Sequence, residues 1–541
     1  MSSTTHDVVE AEREWHRLDP RMLALNISVL AAPLAGFGVT AIVTGGNVPP
    51  GVFFSLLSVG AIFVVMMGVG LMRYATTRYR IGEERVELHA GLVFHRRLSI
   101  PRDRIRSVDL TANPLHRIFG LSVVKVGTGQ NTTSADRSGE LSLDAVRRER
   151  AEELRLELLR RSPVAATPVS GDTADDEPAA RTTSPTEAPA AATGATAAET
   201  TIATMNWAWI RYAPLTGWTL VVAAIIVGGA GRVLDWTGVD PYESGLIMAV
   251  FTWVRQFSLV VVILVALAAV LVVGVIGATL IFIEGWWGFR LVRESGGSFR
   301  VRRGLLTTRS LSLEERRLRG VELVEGLGVR LAKGATTKAI AAGLATTSKD
   351  KNKEKDFLLP PAPREEAYRV SAEVLAEETT PLAVTGLARH PRAALRRRLF
   401  RAIVPVLLLA AVLAVVRSAV SWMGWLPSWV PPVSLLLLLA TIPLAFDAYR
   451  NLGHTLAGRY LLARHGTVAR HTVALRRTGI IGWTVSRTFF QRRSGLATIA
   501  ATTGAGSGAY RVYDVDESTG LTFAEQAVPD LLTPFLERDG G

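Results

Sequence analysis

The longest unbroken apolar stretches of the chain fall at 22–44, 51–72, 212–234, 257–284, 402–420 and 430–447. Each approaches the ~20 residues that carry a helix across the hydrocarbon of a bilayer. They come in pairs. "GGNVPP" (45–50) separates the first two, 235–256 the second two, and "SWMGWLPSWVPP" (421–432) the last two, whose three tryptophans suit an interfacial belt. These loops hold almost no basic residues, whereas arginines crowd the stretches outside the pairs. Arg73, Arg78 and Arg80 follow the second span; Arg389, Arg392, Arg396, Arg397, Arg398 and Arg401 precede the fifth. The bias predicts three helical hairpins, with both termini and every segment between hairpins on the cytoplasmic side. Arg232, Glu284, Arg417 and Asp447 fall near span ends, where side chains reach water. The pattern shows no midspan charge and no pair of broken helices of the kind that lines a substrate path.

After each hairpin the period changes to two. "RRLSIPRDRIRSVDLTANPLHRIFG" (96–120) has weaker counterparts in "RSLSLEERRLRGVEL" (309–323) and "HTVALRRTGIIGWTV" (471–485). Aligning Gly91, Gly304 and Gly466 brings Leu98, Leu311 and Val473 together without a gap. Ile100, Leu313 and Leu475 then coincide, as do Ile105, Leu318 and Ile480, and Leu110, Leu323 and Val485. Short alternating runs divided by turns predict antiparallel strands with one buried face. Gly91 sits where a tight turn between two strands needs positive φ, and Pro101 marks the end of a ladder. Each copy closes on a helical pattern: Leu154 and Leu158 in 143–161; Ala367, Val370 and Val374 after Pro363 as first helical residue; Leu531 and Phe535 after Thr522 and Glu525 in capping-box register.

Composition changes the picture only at the edges. The chain of 541 residues is both apolar (mean hydropathy +0.26) and basic (net charge +13), which suits membrane insertion with basic flanks better than a soluble nucleic-acid binder. The absence of cysteine excludes disulfides, thiolate metal sites and a cysteine nucleophile. Histidines are scattered, and His465 and His471 have no carboxylate near them in sequence, so a metal site lacks ligands and no cofactor is expected. "TTGAGSG" (502–508) has no phosphate-loop lysine, and no catalytic set can be placed. The first 21 residues read as a retained cytoplasmic tail. The Ala/Thr/Pro-rich stretch 162–204 reads as a disordered linker, 346–356 as a solvated charged loop, and 379–401 as a basic connector lying on the inner membrane surface.

The stretches 78–130 and 458–506 resemble the membrane-flanking bacterial PH-like domain family. Their shared marks are a G-x-L/V turn, a strand ending in hydrophobic–x–Pro/Arg, and "HRIFGL" or "QRRSGL" further on. The resemblance implies two roughly orthogonal antiparallel sheets capped by a C-terminal helix, and it transfers no catalytic motif. The middle copy departs from it, since "RLRGVELVEGLGVRLAKG" lacks the Q/H-R element. The expected architecture is therefore an integral membrane protein with six transmembrane helices in three hairpins (22–72, 205–286, 402–447). Each hairpin is followed by a cytoplasmic PH-like module, at 73–161, 287–378 and 448–541.

What the modules meet is suggested by charge. Residues 450–513 hold ten arginines and no acid. An anionic leaflet attracts each nearby Lys or Arg by about 1 kcal/mol. Arg470, Arg476, Arg477, Arg492 and Arg493 are the candidates for contacts with an anionic phospholipid head group. The expectation is a non-enzymatic scaffold of a bacterial plasma membrane, holding protein or lipid contacts at the inner leaflet in envelope maintenance or defence. Its partners would be the membrane, a protein, or further copies of itself, not nucleic acid. The rival is a transporter or lipid-handling protein working through the six helices.

Overall fold

The computed structural model describes residues 15–28, 38, 50–82, 85–90, 96–102, 105, 107–127, 140–159, 199–237, 249, 252–342, 356–419 and 427–535. Most of the first predicted span, the turn at Gly91, the linker up to 198 and the charged loop 346–355 lie outside the described residues.

Among the described residues, four helices are long and apolar enough to cross a membrane: Leu57–Thr76 within α2 (Pro50–Thr76), Val260–Trp286 within α6 (Leu259–Trp286), α9 (Arg392–Ala419), and Val430–Arg450, which contains α10 (Val430–Ser434) and α11 (Leu438–Arg450). A fifth counts if the 3-10 helix Trp207–Leu215 and the start of α5 (Trp218–Thr237), bent by 62°, form one span. The apolar side chains of these helices stand bare, among them Leu264, Leu267, Val412 and Leu439, as a surface that faces lipid or a partner would be. α5 and α6 pack through Gly274 and Gly277: an added Cβ at Gly277 would lie 2.4 Å from a Val222 methyl. Small residues let helix backbones approach where the hydrophobic effect gives no drive.

The 62° bend departs from the expectation of unbroken helices. Pro214 lacks the N–H that would continue the ladder, and Thr219 Oγ1, past the bend, donates to the Pro214 carbonyl at 2.7 Å. Trp209, Tyr212 and Ala213 are buried in the core beneath the sheets. The break therefore belongs to the sheet-bearing region, not to the middle of a span.

The strands fall into three successive units. The first has α1 (Arg21–Ser28), β1 (His16–Arg17), β2 (Arg78–Ile81), β3 (Arg85–Ala90) and β4 (Arg96–Pro101). β5 (Ser107–Ala112), α3 (Pro114–Ile118), β6 (Leu121–Gly127), β7 (Glu140–Arg147) and α4 (Arg148–Leu159) complete it. The middle unit repeats this order with β8 (Thr200–Thr204), β9 (Arg290–Glu294), β10 (Ser298–Arg303), β11 (Thr308–Glu314), β12 (Leu318–Gly326), α7 (Leu327–Leu331), β13 (Gly334–Ala341), β14 (Phe357–Pro363) and α8 (Arg364–Leu375). The last has β15 (Gly453–Ala457), β16 (Tyr460–His465), β17 (Ala469–Arg476), β18 (Gly482–Ser486), α12 (Phe489–Arg493), β19 (Leu496–Thr502), β20 (Ala509–Asp516) and α13 (Glu517–Ala527).

The sheets do not respect these units. β5 of the first pairs antiparallel with β11 of the middle, giving a seven-stranded sheet ordered β7-β6-β5-β11-β10-β9-β8. β12 of the middle pairs with β17 of the last, giving β14-β13-β12-β17-β16-β15. A four-stranded sheet, β1-β2-β3-β4, and a three-stranded one, β18-β19-β20, are left at the two ends. Both junctions have one register: Thr308↔Ala112 in the first and Arg470↔Glu325 in the second are equivalent positions of the aligned copies.

Most of the aligned apolar positions are core, Leu98 being partly buried and Val485 exposed. Ile100, Leu313 and Leu475 are buried, as are Ile105, Leu318 and Ile480. Leu154, Leu158, Ala367, Val370 and Val374 are buried as the helical spacing requires. Several boundaries differ. Residues 200–204, read as disordered, form β8, which adds an outer strand through Thr201↔Val292. The connector does not lie flat. Leu382 is buried in the middle core, Ala388 bridges to His454, and from Arg392 the chain is continuous helix. Pro363 is the N-cap of α8 rather than its first turn. α13 starts at Glu517, because Asp516 caps the Thr519 N–H; Thr522 instead donates to Ser518 O within the helix.

Gly304 and Gly466 adopt φ +107° and +114° in the turns of β10–β11 and β16–β17. An added Cβ at Gly466 would meet the Ala469 carbonyl oxygen at 1.9 Å. Gly466→Ala should therefore cost at least about 1–3 kcal/mol, read as a lowered melting temperature of the detergent-solubilised chain. Gly482→Ala, where nothing lies within 4 Å, should leave it unchanged.

Candidate functional site

Each junction holds a cavity beside the sheet-side ends of the helices, and the two cavities share a wall of equivalent residues. The first, about 510 Å³, has Arg148, Glu152, Arg302, Thr308 and Ser310 on its wall. The second, about 460 Å³, has Arg364, Tyr368, Arg464, Arg470 and Thr472 in the same places. Arg302 and Arg464 project from β10 and β16 two residues before the turn glycine; Arg148 and Arg364 open α4 and α8. The junction strands thus bring an arginine of one unit's sheet against the helix start of the unit before it.

The second cavity is the more basic. Arg389 and Arg450 also line it, and Glu325 is its one carboxylate. Glu325 is nearly inaccessible and takes two charge-assisted hydrogen bonds from Arg470, at 2.5 and 2.7 Å, and an ion pair from Arg364 at 2.7 Å. Arg364 Nε and Arg464 Nε are buried without a hydrogen-bond partner, donors that ordinarily find an acceptor. Burial, and then the neighbouring Arg470, depress Arg464 below the usual arginine value. Burial, and then Arg300 and Arg148, do the same to Arg302 in the first cavity. A guanidinium stays charged regardless, so each cavity carries positive charge that the chain itself leaves uncompensated. It can accept an anion, and a phosphate offers the oxygens that guanidinium forks match.

The five arginines expected to form one site are dispersed. Arg470 lines the second cavity but is tied to Glu325. Arg476 points to the Leu375 carbonyl at 3.4 Å, across the junction. Arg477 donates to the carbonyls of Gln526 and Ala527 and so caps the end of α13. Only Arg492 and Arg493 are exposed, on the short α12. They share it with Phe489 (64% exposed) and Phe490 (57%), and Phe490 lies 5.9 Å from Phe400 where α9 begins its apolar run. Arg148, Arg302, Arg364 and Arg464 escaped the sequence reading. The one available signal was an arginine two residues before the aligned glycine in both later copies.

The last unit is locked to α9 by a buried polar cluster. Asp514 sits in the left-handed region (φ +56°) at a bulge in β20, and Ala145 occupies the same place in β7 (φ +61°). Its carboxylate pairs with Arg397 and Arg398 of α9 and accepts from Gln491 Nε2 at 2.9 Å. His390 Nδ1 meets the Asp514 carbonyl at 3.1 Å, and His390 Nε2 lies 3.2 Å from His454 Nδ1. His465 stacks on His471, whose Nδ1 is 2.6 Å from Glu322 of the middle unit. The carboxylate missing from the sequence neighbourhood thus arrives across the junction. Among the described residues no three His, Asp or Glu side chains converge as metal ligands would.

Two consequences are measurable. Asp514→Ala leaves the partly buried Arg397 and Arg398 without their carboxylate, and should destabilise the chain by about 2–4 kcal/mol in denaturant unfolding. Burial, with a smaller contribution from the neighbouring histidine, pushes His454 and His465 each down to about 4. The unfolded chain binds those protons near pH 6.5, so stability is complete above about 6.5 and is lost as pH falls toward 4. Melting temperature should drop between pH 7 and 5, and less steeply in His465→Gln.

A family model for the bacterial PH domain matches residues 29–162 and 399–526, each match taking in a hairpin and the strands that follow it. No curated protein and no solved structure matches the chain. The strand order, the closing helices and these two matches agree: the regions 29–162 and 399–526 are similar to the bacterial PH domain family.

Proposed function

We propose that the chain is a non-enzymatic scaffold of a bacterial plasma membrane, built from three hairpins and three PH-like units, that grips anionic phospholipid head groups at the inner leaflet. The middle unit counts as the third PH-like unit because its strand order and junction register copy those of its neighbours. The single observation that carries the reading is the pair of equivalent arginine-lined cavities. Each lies beside the end of a membrane-length helix: Arg450 ends α11, and Leu305 N donates to Glu284 O near the end of α6 beside the first. Chain on the sheet side flanks the second and third hairpins at both ends, which favours one face for all units, and the arginine bias makes that face cytoplasmic. The exposed Phe489, Phe490, Arg492 and Arg493 add an amphipathic edge that suits the head-group region. PH domains commonly meet lipids or proteins, and a fold alone decides neither.

One observation favours the rival reading of transport or lipid handling, the 62° bend before α5. It lies outside the apolar span and inside a packed core, a poor place for a substrate path.

Lipid retention separates the readings. Chain purified from membranes containing both anionic and zwitterionic phospholipid should keep the anionic kind, detected by native mass spectrometry. The double variant Arg364→Gln, Arg464→Gln should lose at least tenfold of it, since each arginine contributes on the order of 1 kcal/mol. Equal retention of zwitterionic lipid, or no change in the double variant, would remove the head-group reading.

A further inference from the structure

Two strand edges are left over. In both junctions the first strand of one unit's second sheet (β5 or β12) pairs with the third strand of the next unit's first sheet (β11 or β17). The corresponding strand in the last unit is β18, and the corresponding third strand in the first unit is β4. Among the described residues neither has a neighbour on its outer side: β18 is the margin of β18-β19-β20 and β4 the margin of β1-β2-β3-β4. The chain therefore ends in the two complementary halves of a junction that it makes twice internally.

The side chains register the missing partner. Leu110 and Leu323 are 7% and 1% exposed, whereas Val485 at the same position in β18 is 40% exposed. Ser312, opposite Val108, is fully buried and Ala474, opposite Val321, is too, whereas Ser99 at the same position in β4 is exposed. We propose that copies of this chain associate head to tail in the membrane plane, β18 of one pairing antiparallel with β4 of the next. The shared register of the two junctions fixes the third: Gly482 opposite Ile100, Trp483 opposite Ser99, Thr484 opposite Leu98, Val485 opposite Arg97 and Ser486 opposite Arg96. That alignment is compatible with what the chain already tolerates. Arg309, the counterpart of Arg96, sits opposite Thr111, the counterpart of Ser486.

The contact joins unlike surfaces, so it closes into a ring or runs on as a filament according to its rotation. An unpaired edge would otherwise be a standing hazard for unspecific pairing. The β4 edge carries Arg96 and Arg97, the charged residues that ordinarily discourage it, and Pro101 ends the strand.

The chain has no cysteine of its own, so introduced thiols report cleanly. Two full-length chains with different tags, one Thr484→Cys and one Leu98→Cys, are co-expressed, and membrane vesicles are treated with a mild oxidant. Side chains directly opposite in an antiparallel pair lie about 5 Å apart, within disulfide reach. A disulfide-linked heterodimer is expected, with neither variant forming a homodimer alone and a ladder of multimers when both cysteines are in one chain. Val485→Lys in the Thr484→Cys chain, a change at an exposed position, should cut the heterodimer at least tenfold. The proposal is overturned if the heterodimer is no more abundant than that of Thr484→Cys with the out-of-register Arg96→Cys. It is equally overturned if Thr484→Cys chains link to each other as readily. It stands on strand pairing and not on lipid binding, so lipid retention measured on the same variants shows which of the two has failed.

Discussion

The backbone hydrogen bonds between β5 and β11, and between β12 and β17, are the constraint on which the rest of the structure depends. Each unit's first sheet supplies the strand that completes the preceding unit's second sheet. A buried N–H or C=O without a partner costs as much as a lost hydrogen bond, so no unit can be lifted out without exposing a ladder on each side. Side chains reinforce the seam. Arg155 of α4, nearly inaccessible, reaches Glu294 and Ser312 of the middle unit at 2.9 and 3.0 Å, and Arg300 returns to Glu152 at 2.6 Å. At the second seam Glu325 holds Arg470. Ion pairs so placed fix register more than they add net stability.

This seam explains why the site was hard to read from the sequence. The repeat, its strand alternation and the closing helices were legible, because Ile100, Leu313 and Leu475 recur at one spacing and are all core. Four of the predicted spans were legible from apolar run length alone, as helices long enough to cross a membrane. The use made of each arginine was not. Residues 450–513 contain ten arginines and no acid, yet Arg470 is neutralised by Glu325, and His471 contacts Glu322, both carboxylates coming from a unit more than a hundred positions earlier. Local charge counting treats a segment as if it faced only solvent. Here the facing surface is another copy of the same fold, which carries the carboxylates.

The same effect hid the strands upstream of the hairpins. β8 and the bridge at Ala388 come from low-complexity or basic connector sequence with little alternation. They form because an existing sheet edge supplies the template, a tertiary influence that propensity does not record. The bend at Pro214 was likewise hidden, since an apolar run looks continuous whether its first turns sit in lipid or in a protein core.

Sheets stitched in this way and helices long and apolar enough to cross a bilayer constrain each other. A linear array of sheets joined by strand pairing has freedom to twist, because each strand pair rotates by roughly 20–25°. Long apolar helices stand between successive units in the chain and restrict that freedom. In return, the junctions keep apart helices whose exposed apolar surfaces would otherwise be positioned only by lipid packing. The cavities arise where the two demands meet. The strand pairing that builds a junction places the arginine from β10 or β16 against the start of α4 or α8. Each of the two arginine-lined cavities is thus a geometric by-product of adding one unit to another.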